Sequence, residues 1–516
     1  MIAYSYNPLH IYQIINQVML SSIMEISWLC LALFISSLII LFNLLKKQTH
    51  NNLPPGPTKL PLIGNLHQLA WGNTLPHRRL AELATVYGPI MHLRLGEVPT
   101  VVVSSADTAR EVMKTHDAVF CSRPTLMVGK EIFYGSSDIG LAPYGEYWRQ
   151  VRKISVLELF TMKRVESFRV IREEEVAEFV ELLRAEAGSV VNLSKKLFGL
   201  SFDITSRIAF TKKGKEQEEF QALAVAVTKI ASGFSIVDLY PSLDFLQSIS
   251  GMKKKLKELV QESNRILDPI IDEHKSKMRD QGKVEEDLVD VLLNFHKDSV
   301  ANSHNFCLST DNIKAVVLEL FGAGSETSST AMEWAMSELL KNPKAMEKAQ
   351  AEVRRVYQRE VVVNETKLHK LTYLKQVIKE TLRLHPPLPL LVPRESVERC
   401  QIQSCDIPIK SRVVINAWAI GRDPKSWSDP ERFNPERFDN CSSDYKVDDF
   451  ELLPFGAGRR KCPGMALGIA NVELPLAMLL YHFDWKLPKN LDMDESFGIT
   501  MRRKNELHVI PIPCPY

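Results

Sequence analysis

The chain has 516 residues, of which 45% are apolar and 24% are charged. This composition, with a mean hydropathy of −0.10, excludes a largely disordered chain and a protein with many membrane spans. With 64 basic and 62 acidic residues, the chain shows no overall basic signature of nucleic-acid binding. Its eight cysteines are too few for a disulfide scaffold, which favours a reducing compartment.

The first predicted element is an apolar run near the N-terminus. Residues 26–45, ISWLCLALFISSLIILFNLL, carry no charge, and 20 helical residues span about 30 Å, one bilayer core. Lys46 and Lys47 follow this run. The positive-inside rule therefore predicts a luminal segment at 1–25 and a cytosolic chain from residue 46 onwards. Met1 and Met24 are both candidate start residues.

A proline-rich segment comes next. Prolines at 54, 55, 57 and 61 fix φ and remove hydrogen-bond donors, so residues 46–64 are predicted to form a stiff, non-helical strut. The remaining residues, 65–516, are predicted to form a single body. Alternating apolar residues predict a β-hairpin at 90–103, with its turn between Gly96 and Pro99.

The rest of the body reads as mainly helical. Apolar residues three and four apart predict helices from about 105 to 385, followed by short strands at 400–416 and an ordered coil at 420–460. A last helix is predicted from Met465 to about His482, and two strand-like runs close the chain. The fold class is thus mainly α with a minor β part.

Residues 316–327, VVLELFGAGSET, invite a dinucleotide-binding interpretation. That fingerprint requires a third glycine where Thr327 stands, and it requires a surrounding βαβ unit. The sequence instead predicts a long helix, roughly Thr310 to Leu340. Small residues at 322–324 in that helix would let a bulky group approach its backbone.

One cysteine lies in an informative loop, PFGAGRRKCPG at residues 454–464. Its glycines let the backbone pass close to a flat ligand, and a helix starting after Cys462 favours the thiolate form of the sulfur. A soft thiolate in this setting is a ligand for haem iron. The alternative is a buried cysteine in a turn. The pattern F-x-x-G-x-R-x-C-x-G is complete at Phe455, Gly458, Arg460, Cys462 and Gly464, and here the chain resembles the cytochrome P450 superfamily.

Other motifs carry the same resemblance from Pro54 to the C-terminus. They are E-x-x-R at Glu380 and Arg383, PERF with Arg437, AGSET at 323–327, and W-x-x-x-R at Trp148 and Arg152. The segments LPPGPTKLPLIGNLHQL, LRLHPP and FGITMRRK resemble the plant microsomal type in the large seventy-one clan, in particular its terpenoid-oxidising members. The resemblance implies the cytochrome P450 fold with one N-terminal transmembrane helix in the endoplasmic reticulum membrane.

The resemblance also implies residue roles. Cys462 would bind the iron of haem b, and the other haem-binding residues would be Trp148, Arg152, Arg394, Phe455, Arg460 and Gly464. Thr327 would donate a hydrogen bond at the reacting oxygen, and Glu326 would relay protons. Glu380, Arg383 and Arg437 would form a structural lock. The substrate would contact Val316, Leu320, Ala323, Leu388, Leu390, Val392, Phe497 and Ile499, under a roof formed by residues 119–141.

The implied reaction is insertion of one oxygen atom from O₂ into a lipophilic plant metabolite, with a sesquiterpene or diterpene scaffold as the first expectation. No segment binds flavin or nicotinamide, so electrons from NADPH would arrive through NADPH–cytochrome P450 reductase. The basic residues Arg149, Lys153, Arg459 and Lys461 would form its docking patch.

Alternative functions remain open at this point. The substrate could be a terpenoid-derived alkaloid. A haem-thiolate isomerase or dehydratase would keep the fold but need no O₂, and a membrane-tethered haem carrier or sensor would lack monooxygenase activity. A cysteine metal site at Cys400, Cys405 and Cys441 is a weak further alternative, because no histidine lies nearby.

Overall fold

The computed structural model describes residues 28, 30, 31, 33–37, 52–70, 74–211, 217–230, 235–243, 251–280, 287–301, 308–358, 364–439, 450–496 and 498–514. The chain divides into two compact units, Met1–Asn52 and Leu53–Tyr516. The described residues of the first unit are helical and exposed, and they include Trp28, Leu33 and Phe34. The rest of the predicted anchor and the predicted luminal segment lie outside the described residues.

The second unit is mainly helical, as predicted. Its helices are α1 (Leu66–Ala70), α2 (Pro76–Tyr87), α3 (Ala106–Arg110), α4 (Asp117–Phe120), α5 (Met127–Glu131), α6 (Glu146–Ile154), α7 (Met162–Ser167), α8 (Arg169–Ala185), α9 (Leu193–Phe210), α10 (Gln217–Ile230), α11 (Ile236–Leu239), α12 (Met252–Asp280), α13 (Leu288–Ala301), α14 (Thr310–Lys341), α15 (Pro343–Tyr357), α16 (Thr372–Leu384), α17 (Ala417–Ile420) and α18 (Met465–His482). Short π-helical turns follow α3 and α6, at Glu111–Thr115 and Ser155–Leu159. Single 3₁₀ turns lie at Pro241–Leu243, Glu365–Lys370, Pro435–Phe438 and Gly458–Arg460.

The strands form small sheets at the edges of the helical body. They are β1 (Ile90–Leu95), β2 (Val98–Val103), β3 (Val191–Asn192), β4 (Arg394–Glu395), β5 (Cys400–Ile402), β6 (Cys405–Ile407), β7 (Arg412–Ile415), β8 (Phe483–Lys486), β9 (Glu495–Ser496), β10 (Arg502–Arg503) and β11 (His508–Pro513). The largest sheet has the order β1-β2-β7-β4, in which β7 runs parallel to β2. A second sheet has the order β3-β11-β8.

The predicted hairpin at 90–103 is confirmed, with one difference in its turn. β2 begins at Val98, so Pro99 lies in the strand and pairs with Arg94. A proline is tolerated there because the pairing of β2 with β7 begins only at Thr100. The missing N–H of Pro99 therefore removes no ladder bond on that side.

Helix α14 runs through the core and positions the site. Its start is fixed by a capping box in which the Ser309 hydroxyl accepts the Asn312 amide and the Asn312 side chain accepts the Ser309 amide. The helix packs against α9 and α18, and Phe321 contacts the rings of Phe202, Phe210 and Phe220. Residues 316–327 are helical throughout, which excludes the dinucleotide-binding interpretation.

Helix α18 has the predicted bounds, Met465–His482. Within the described part of the chain, it is the helix that is long and apolar enough to cross a membrane by length and composition. About 61% of it is buried inside the body, and Leu474, Leu476 and Leu479 have no exposed surface. Its apolar character therefore serves the core.

The described residues of the proline-rich segment contain no helix, and they lie along the edge of β1. The His92 amide donates a hydrogen bond to the Pro55 carbonyl at 2.9 Å. A Cβ on Gly56 would lie 2.1 Å from the His92 carbonyl oxygen, so only glycine permits this close approach. Asn65 fixes the end of the segment, because its amide nitrogen donates to the Pro57 carbonyl and its oxygen accepts the Arg94 amide.

Candidate active site

A cavity of about 290 Å³ lies between α14, the start of α18 and the loop at 454–464. Its lining is mostly apolar and includes Leu320, Ala323, Leu388, Val392, Phe455 and Leu467. Cys462 forms part of the lining. The exposed surface of Cys462 faces this internal space. The cysteine is therefore accessible from the cavity although protein surrounds it.

The loop around Cys462 is held by its backbone. The Cys462 amide donates to the Phe455 carbonyl at 2.9 Å, which closes the loop. Gly456 and Gly458 adopt φ values of 63° and 70°, in the left-handed region that glycine tolerates. A Cβ on Gly458 would lie 2.1 Å from the Met113 carbonyl oxygen. The glycines of the motif thus allow this tight path beneath the cavity.

Opposing effects act on the Cys462 sulfur. Burial is the larger effect and leaves the pKa of the thiol raised, whereas a hydrogen bond from the Gly464 amide and the positive charge of Arg152 act to lower it. Helix α18 begins directly after Gly464, and its positive N-terminal end also favours a negative sulfur. The protein therefore supplies the interactions that a thiolate ligand needs.

Three buried guanidinium groups line the same cavity, those of Arg123, Arg394 and Arg460. Arg394 pairs with Asp117 at 3.1 Å. Arg123 and Arg460 form no ion pair with a described carboxylate and instead donate to backbone carbonyls. Burial lowers the pKa of all three, that of Arg460 to about 10, and repulsion by neighbouring arginines adds to the effect at Arg123 and Arg460. Buried charges without partners are costly, so the cluster is suited to an anionic ligand.

Arg123 was not predicted from the sequence. It is a single arginine in a loop, and no spacing pattern marks it. The structure reveals it because its guanidinium donates to Gly140, Val392 and Pro393 carbonyls at 2.7–2.8 Å. These bonds join the loop after α4 to the segment before β4 beside the cavity.

The predicted residues Trp148 and Arg152 lie next to this cluster, outside the cavity lining. The Trp148 indole nitrogen donates to the Ile139 carbonyl at 3.0 Å, and the Arg460 guanidinium lies 4.0 Å from the centre of its ring. Arg152 donates to the Lys461 carbonyl. In this arrangement Trp148 positions Arg460, and Arg152 holds the backbone beside Cys462.

These observations fit haem. Cys462 offers a sulfur ligand, and the motif glycines keep the floor of the cavity flat. Gly468 on α18 also lines the cavity, and a Cβ built at this position would meet no atom within 4 Å, so the space beside it is open. Arg123 and Arg460 supply unneutralised positive charge at one side, which matches a group with carboxylate substituents. The site thus combines a thiolate ligand, a flat apolar space and an anion-binding edge.

The two predicted catalytic residues point in different directions. Thr327 lines the cavity, and its hydroxyl donates to the Ala323 carbonyl at 2.6 Å. Glu326 is buried outside the cavity lining and pairs with Arg502 at 2.9 Å. Successive helical residues lie about 100° apart around the axis, and Glu326 lies on the side of α14 that faces Arg502.

The predicted substrate residues divide into three groups. Leu320, Ala323, Leu388 and Val392 line the cavity. Val316, Leu390 and Ile499 lie outside its lining, since Val316 is packed in the main core and Leu390 packs against the cluster around β1 and β2. Phe497 lies outside the described residues. The position of Leu390 follows from Leu391, whose φ of 51° turns the backbone there.

The structure brings Glu380, Arg383 and Arg437 together behind the site. Glu380 and Arg383 pair at 2.7 Å with no exposed side-chain surface, and Arg437 reaches the same carboxylate at 2.9 Å. Arg383 also donates to the Gly421 and Pro430 carbonyls. This buried network fixes the coil after β7 to α16.

The cysteines of the alternative metal site do not converge in the described chain. Cys400 and Cys405 lie on β5 and β6, which pair as a hairpin. Cys400 is opposite Ile407, and Cys405 is opposite Ile402. Cys441 lies outside the described residues.

Comparison with known proteins agrees with this site. A family model described as Cytochrome P450 matches residues 54–509. Similar relatives include desmethyl-deoxy-podophyllotoxin synthase of Sinopodophyllum hexandrum, 53% identical over 92% of this chain and 95% of that protein. Cytochrome P450 71D10 of Glycine max is 51% identical over 93% of this chain and 96% of its own length. Tabersonine 16-hydroxylase 1 of Catharanthus roseus is 50% identical over 90% of this chain and 92% of its own length.

Solved structures show the same fold. A zebra fish cytochrome P450 with progesterone has a TM-score of 0.73 and 26% identity, covering 86% of this chain and all of that chain. Another zebra fish cytochrome P450 structure, with abiraterone, has a TM-score of 0.72 and 27% identity, and it covers 85% of this chain and all of that chain. The chain belongs to the cytochrome P450 family, as a monooxygenase of plant specialised metabolism with haem b as its cofactor and electrons supplied by NADPH through a reductase.

Proposed function

We propose that this chain hydroxylates a sesquiterpene or diterpene scaffold. The apolar lining of the cavity carries this proposal, because Leu320, Ala323, Leu388 and Val392 offer a hydrocarbon surface with few polar anchors. Burial of hydrocarbon surface would then supply most of the binding energy.

The residues of the chain have separate tasks in this reaction. Cys462 ligates the haem iron, and Arg123, Arg394 and Arg460 hold the carboxylate side of the cofactor. Bound haem supplies the oxygen activation that no side chain can perform. Thr327 offers a hydroxyl to the reacting centre from the wall of the cavity. Glu326 exchanges protons with solvent on the other side of α14, where Arg502 is one-third exposed.

A second candidate substrate class is a terpenoid-derived alkaloid. Two relatives are named tabersonine 16-hydroxylases, and they are 50% and 48% identical to this chain. A relative of similar identity, 48%, is named melianol synthase. These names denote different compounds at nearly equal identity, so the experiment below supplies both classes.

A feeding experiment tests the proposal. The full-length chain would be coexpressed with a plant NADPH–cytochrome P450 reductase and supplied with a panel of sesquiterpenes, diterpenes and terpenoid-derived alkaloids. We expect an NADPH-dependent product 16 Da heavier than one of the terpenes, absent with Cys462→Ser. Products only from alkaloids would favour the second class, and haem-loaded protein with no product from any compound would contradict both.

We also propose that residues 26–45 anchor the chain in the endoplasmic reticulum membrane with the body in the cytosol. Exposed apolar residues on the described part of that helix, such as Trp28, Leu33 and Phe34, support this. The sequons at Asn192, Asn364 and Asn440 should then carry no glycan in a eukaryotic host. A glycosidase-sensitive mobility shift that disappears when these asparagines are replaced would place the body in the lumen.

A further inference from the structure

Residues 137–142 form a strap over one side of the cavity, between the cationic cluster and α14. Its carbonyl groups face the cluster: Ile139 accepts from Trp148, Gly140 from Arg123, and Ala142 from Arg460. The amide groups of Ile139 and Gly140 in the same strap face α14. The strap therefore sets the distance between the haem-binding arginines and the helix that carries Thr327.

Glu319 is the α14 residue that holds the strap. Its carboxyl group accepts the Ile139 amide at 2.6 Å and also the Gly140 amide. A Cβ on Gly140 would lie 2.6 Å from Glu319 Oε1. The strap backbone is thus as close to the carboxyl group as a glycine allows.

A second carboxyl group lies beside Glu319. Asp138 accepts the Leu141 amide with one oxygen, at 2.9 Å. Its other oxygen, Oδ1, is buried with no hydrogen-bond partner among the described residues, and Asp138 is 1% exposed. Asp138 Oδ2 and Glu319 Oε1 lie 3.6 Å and 2.6 Å from the same point, the Cβ position on Gly140. An unpartnered carboxylate oxygen at such a site requires a donor.

We propose that Asp138 and Glu319 share one proton and act as a latch that fixes the strap over the cavity. One proton on the pair removes the repulsion between two adjacent buried charges, while the Glu319 carboxyl group still accepts the strap amides. Glu319 is a positioning residue, because it acts on the arginines and the cavity wall through the strap.

The electrostatic surroundings support a singly protonated pair. Burial raises the pKa of both carboxyl groups, and the charge of Asp138 raises that of Glu319 further. The charges of Arg123 and Arg460 lower the pKa of Asp138. The other titratable groups that interact with one or both carboxyl groups are Tyr147, Arg152 and Cys462. Loss of the shared proton at high pH would place two negative charges side by side and weaken the latch.

Variants of the haem-loaded, full-length protein test this latch. Hydrogen exchange of the strap amides and the dissociation constant of 4-phenylimidazole, from its Soret shift, would be measured together. Asp138→Asn keeps an acceptor for the Leu141 amide and places a donor at the position of the unpartnered oxygen, so it should behave like the unchanged protein at pH 7. Glu319→Leu should speed exchange of Ile139 and Gly140 by about tenfold or more, as expected for loss of a hydrogen bond to a carboxyl group, and should weaken ligand binding several-fold.

Glycine variants provide an independent test. Gly140→Ala should reproduce the effect of Glu319→Leu, because its Cβ collides with the Glu319 carboxyl group. Adding Glu319→Asp should relieve the collision and restore protection. Gly145→Ala is the matched control, since a Cβ there meets no atom within 4 Å.

A comparison across pH tests the shared proton. Relative to Asp138→Asn at each pH, the unchanged protein should lose strap protection and ligand affinity between pH 7 and 9, by up to about tenfold for one proton. Equal exchange in Glu319→Leu and the unchanged protein would overturn the latch. Asp138→Asn behaving like Glu319→Leu, or a flat pH comparison, would overturn the shared proton. Carbon-monoxide difference spectra identify any variant that has lost its thiolate-ligated haem. If Glu319→Leu is such a variant, the comparison of Gly140→Ala with the double variant Gly140→Ala, Glu319→Asp decides the outcome.

Discussion

The carboxylate of Glu326 pairs with the Arg502 guanidinium at 2.9 Å and so faces away from the cavity that its neighbour Thr327 lines. This pair joins α14 to β10 on the side of α14 away from the cavity. Two roles follow for Glu326, proton exchange with solvent or attachment of β10, and they can be separated experimentally.

If Glu326 exchanges protons, Glu326→Gln should slow turnover several-fold while leaving ligand affinity unchanged. Arg502→Gln removes the same ion pair but keeps the carboxylate, so it should retain most of the turnover. Steady-state rates and ligand titrations on both variants provide the comparison. Equal losses in the two variants would show that the pair is structural, because its rupture alone would then explain the effect.

Thr327→Ala should keep haem and ligand binding but lower the amount of product formed per NADPH several-fold, with peroxide formed instead. The reason is that Thr327, unlike Glu326, places its hydroxyl group in the cavity lining. Thr327→Ser retains the hydroxyl and serves as the control. The assay compares NADPH consumption, peroxide and product. Unchanged coupling in Thr327→Ala would mean that the hydroxyl serves only its 2.6 Å bond to Ala323.

Arg123→Leu should accelerate haem transfer to excess apomyoglobin by about tenfold or more, since a hydrogen bond to a charged group contributes about 1.5–3 kcal/mol. Arg123→Lys keeps the charge, so its rate of haem transfer should lie between those of Arg123→Leu and the unchanged protein. Arg149→Leu removes an exposed arginine on α6 and is the control. A transfer rate in Arg123→Leu equal to that of the control would remove Arg123 from the haem site.

The buried carboxylate of Glu495 should make stability depend on pH. Despite burial, hydrogen bonds and charge from His77 and Arg78 lower the pKa of Glu495 to about 2. Its folded pKa lies below the unfolded value, so its contribution is present above the unfolded pKa and is lost as pH falls towards 2. Burial also lowers the pKa of His77, and protonation of His77 in acid therefore favours unfolding as well.

Glu495→Gln should accordingly lower the free energy of unfolding by about 2–3 kcal/mol at pH 7 and flatten its decline below about pH 5. Glu82→Gln breaks an exposed pair on the same helix, α2, and should change stability by less than about 1 kcal/mol. Denaturant titrations at several pH values give both quantities. If the free energy of unfolding declines equally with falling pH in the two variants, the acid sensitivity belongs to other groups.

The sequence predicted what depends on local pattern. The bounds of α18, the long helix α14 and the cysteine loop follow from periodicity and from the spacing of glycines around Cys462. Residues whose role depends on distant partners were missed. Glu319 matters because the strap, 180 positions away in the chain, passes against it, and Arg123 matters because it meets carbonyls 269 and 270 positions away. Neither contact leaves a repeat or spacing in the sequence.

Side-chain direction in irregular segments was equally hard to predict. The family resemblance assigns Leu388, Leu390 and Val392 to the substrate by matching positions, and a regular strand would place all three on one face. The left-handed backbone of Leu391 breaks the alternation, so Leu390 packs elsewhere. Thr327 and Glu326 were likewise grouped by motif, although their positions on α14 separate them.

The contact between the proline-rich segment and β1 limits how far the N-terminus can be shortened for expression. Strand β1 is the terminal strand of its sheet. Pro55 covers the outer hydrogen-bonding edge of this strand at His92. Removing residues beyond Leu53 would expose that edge and invite intermolecular strand pairing. A shortened chain that starts at or before Leu53 should therefore remain monodisperse, whereas one that starts after Pro57 should aggregate even though its haem-binding residues are intact.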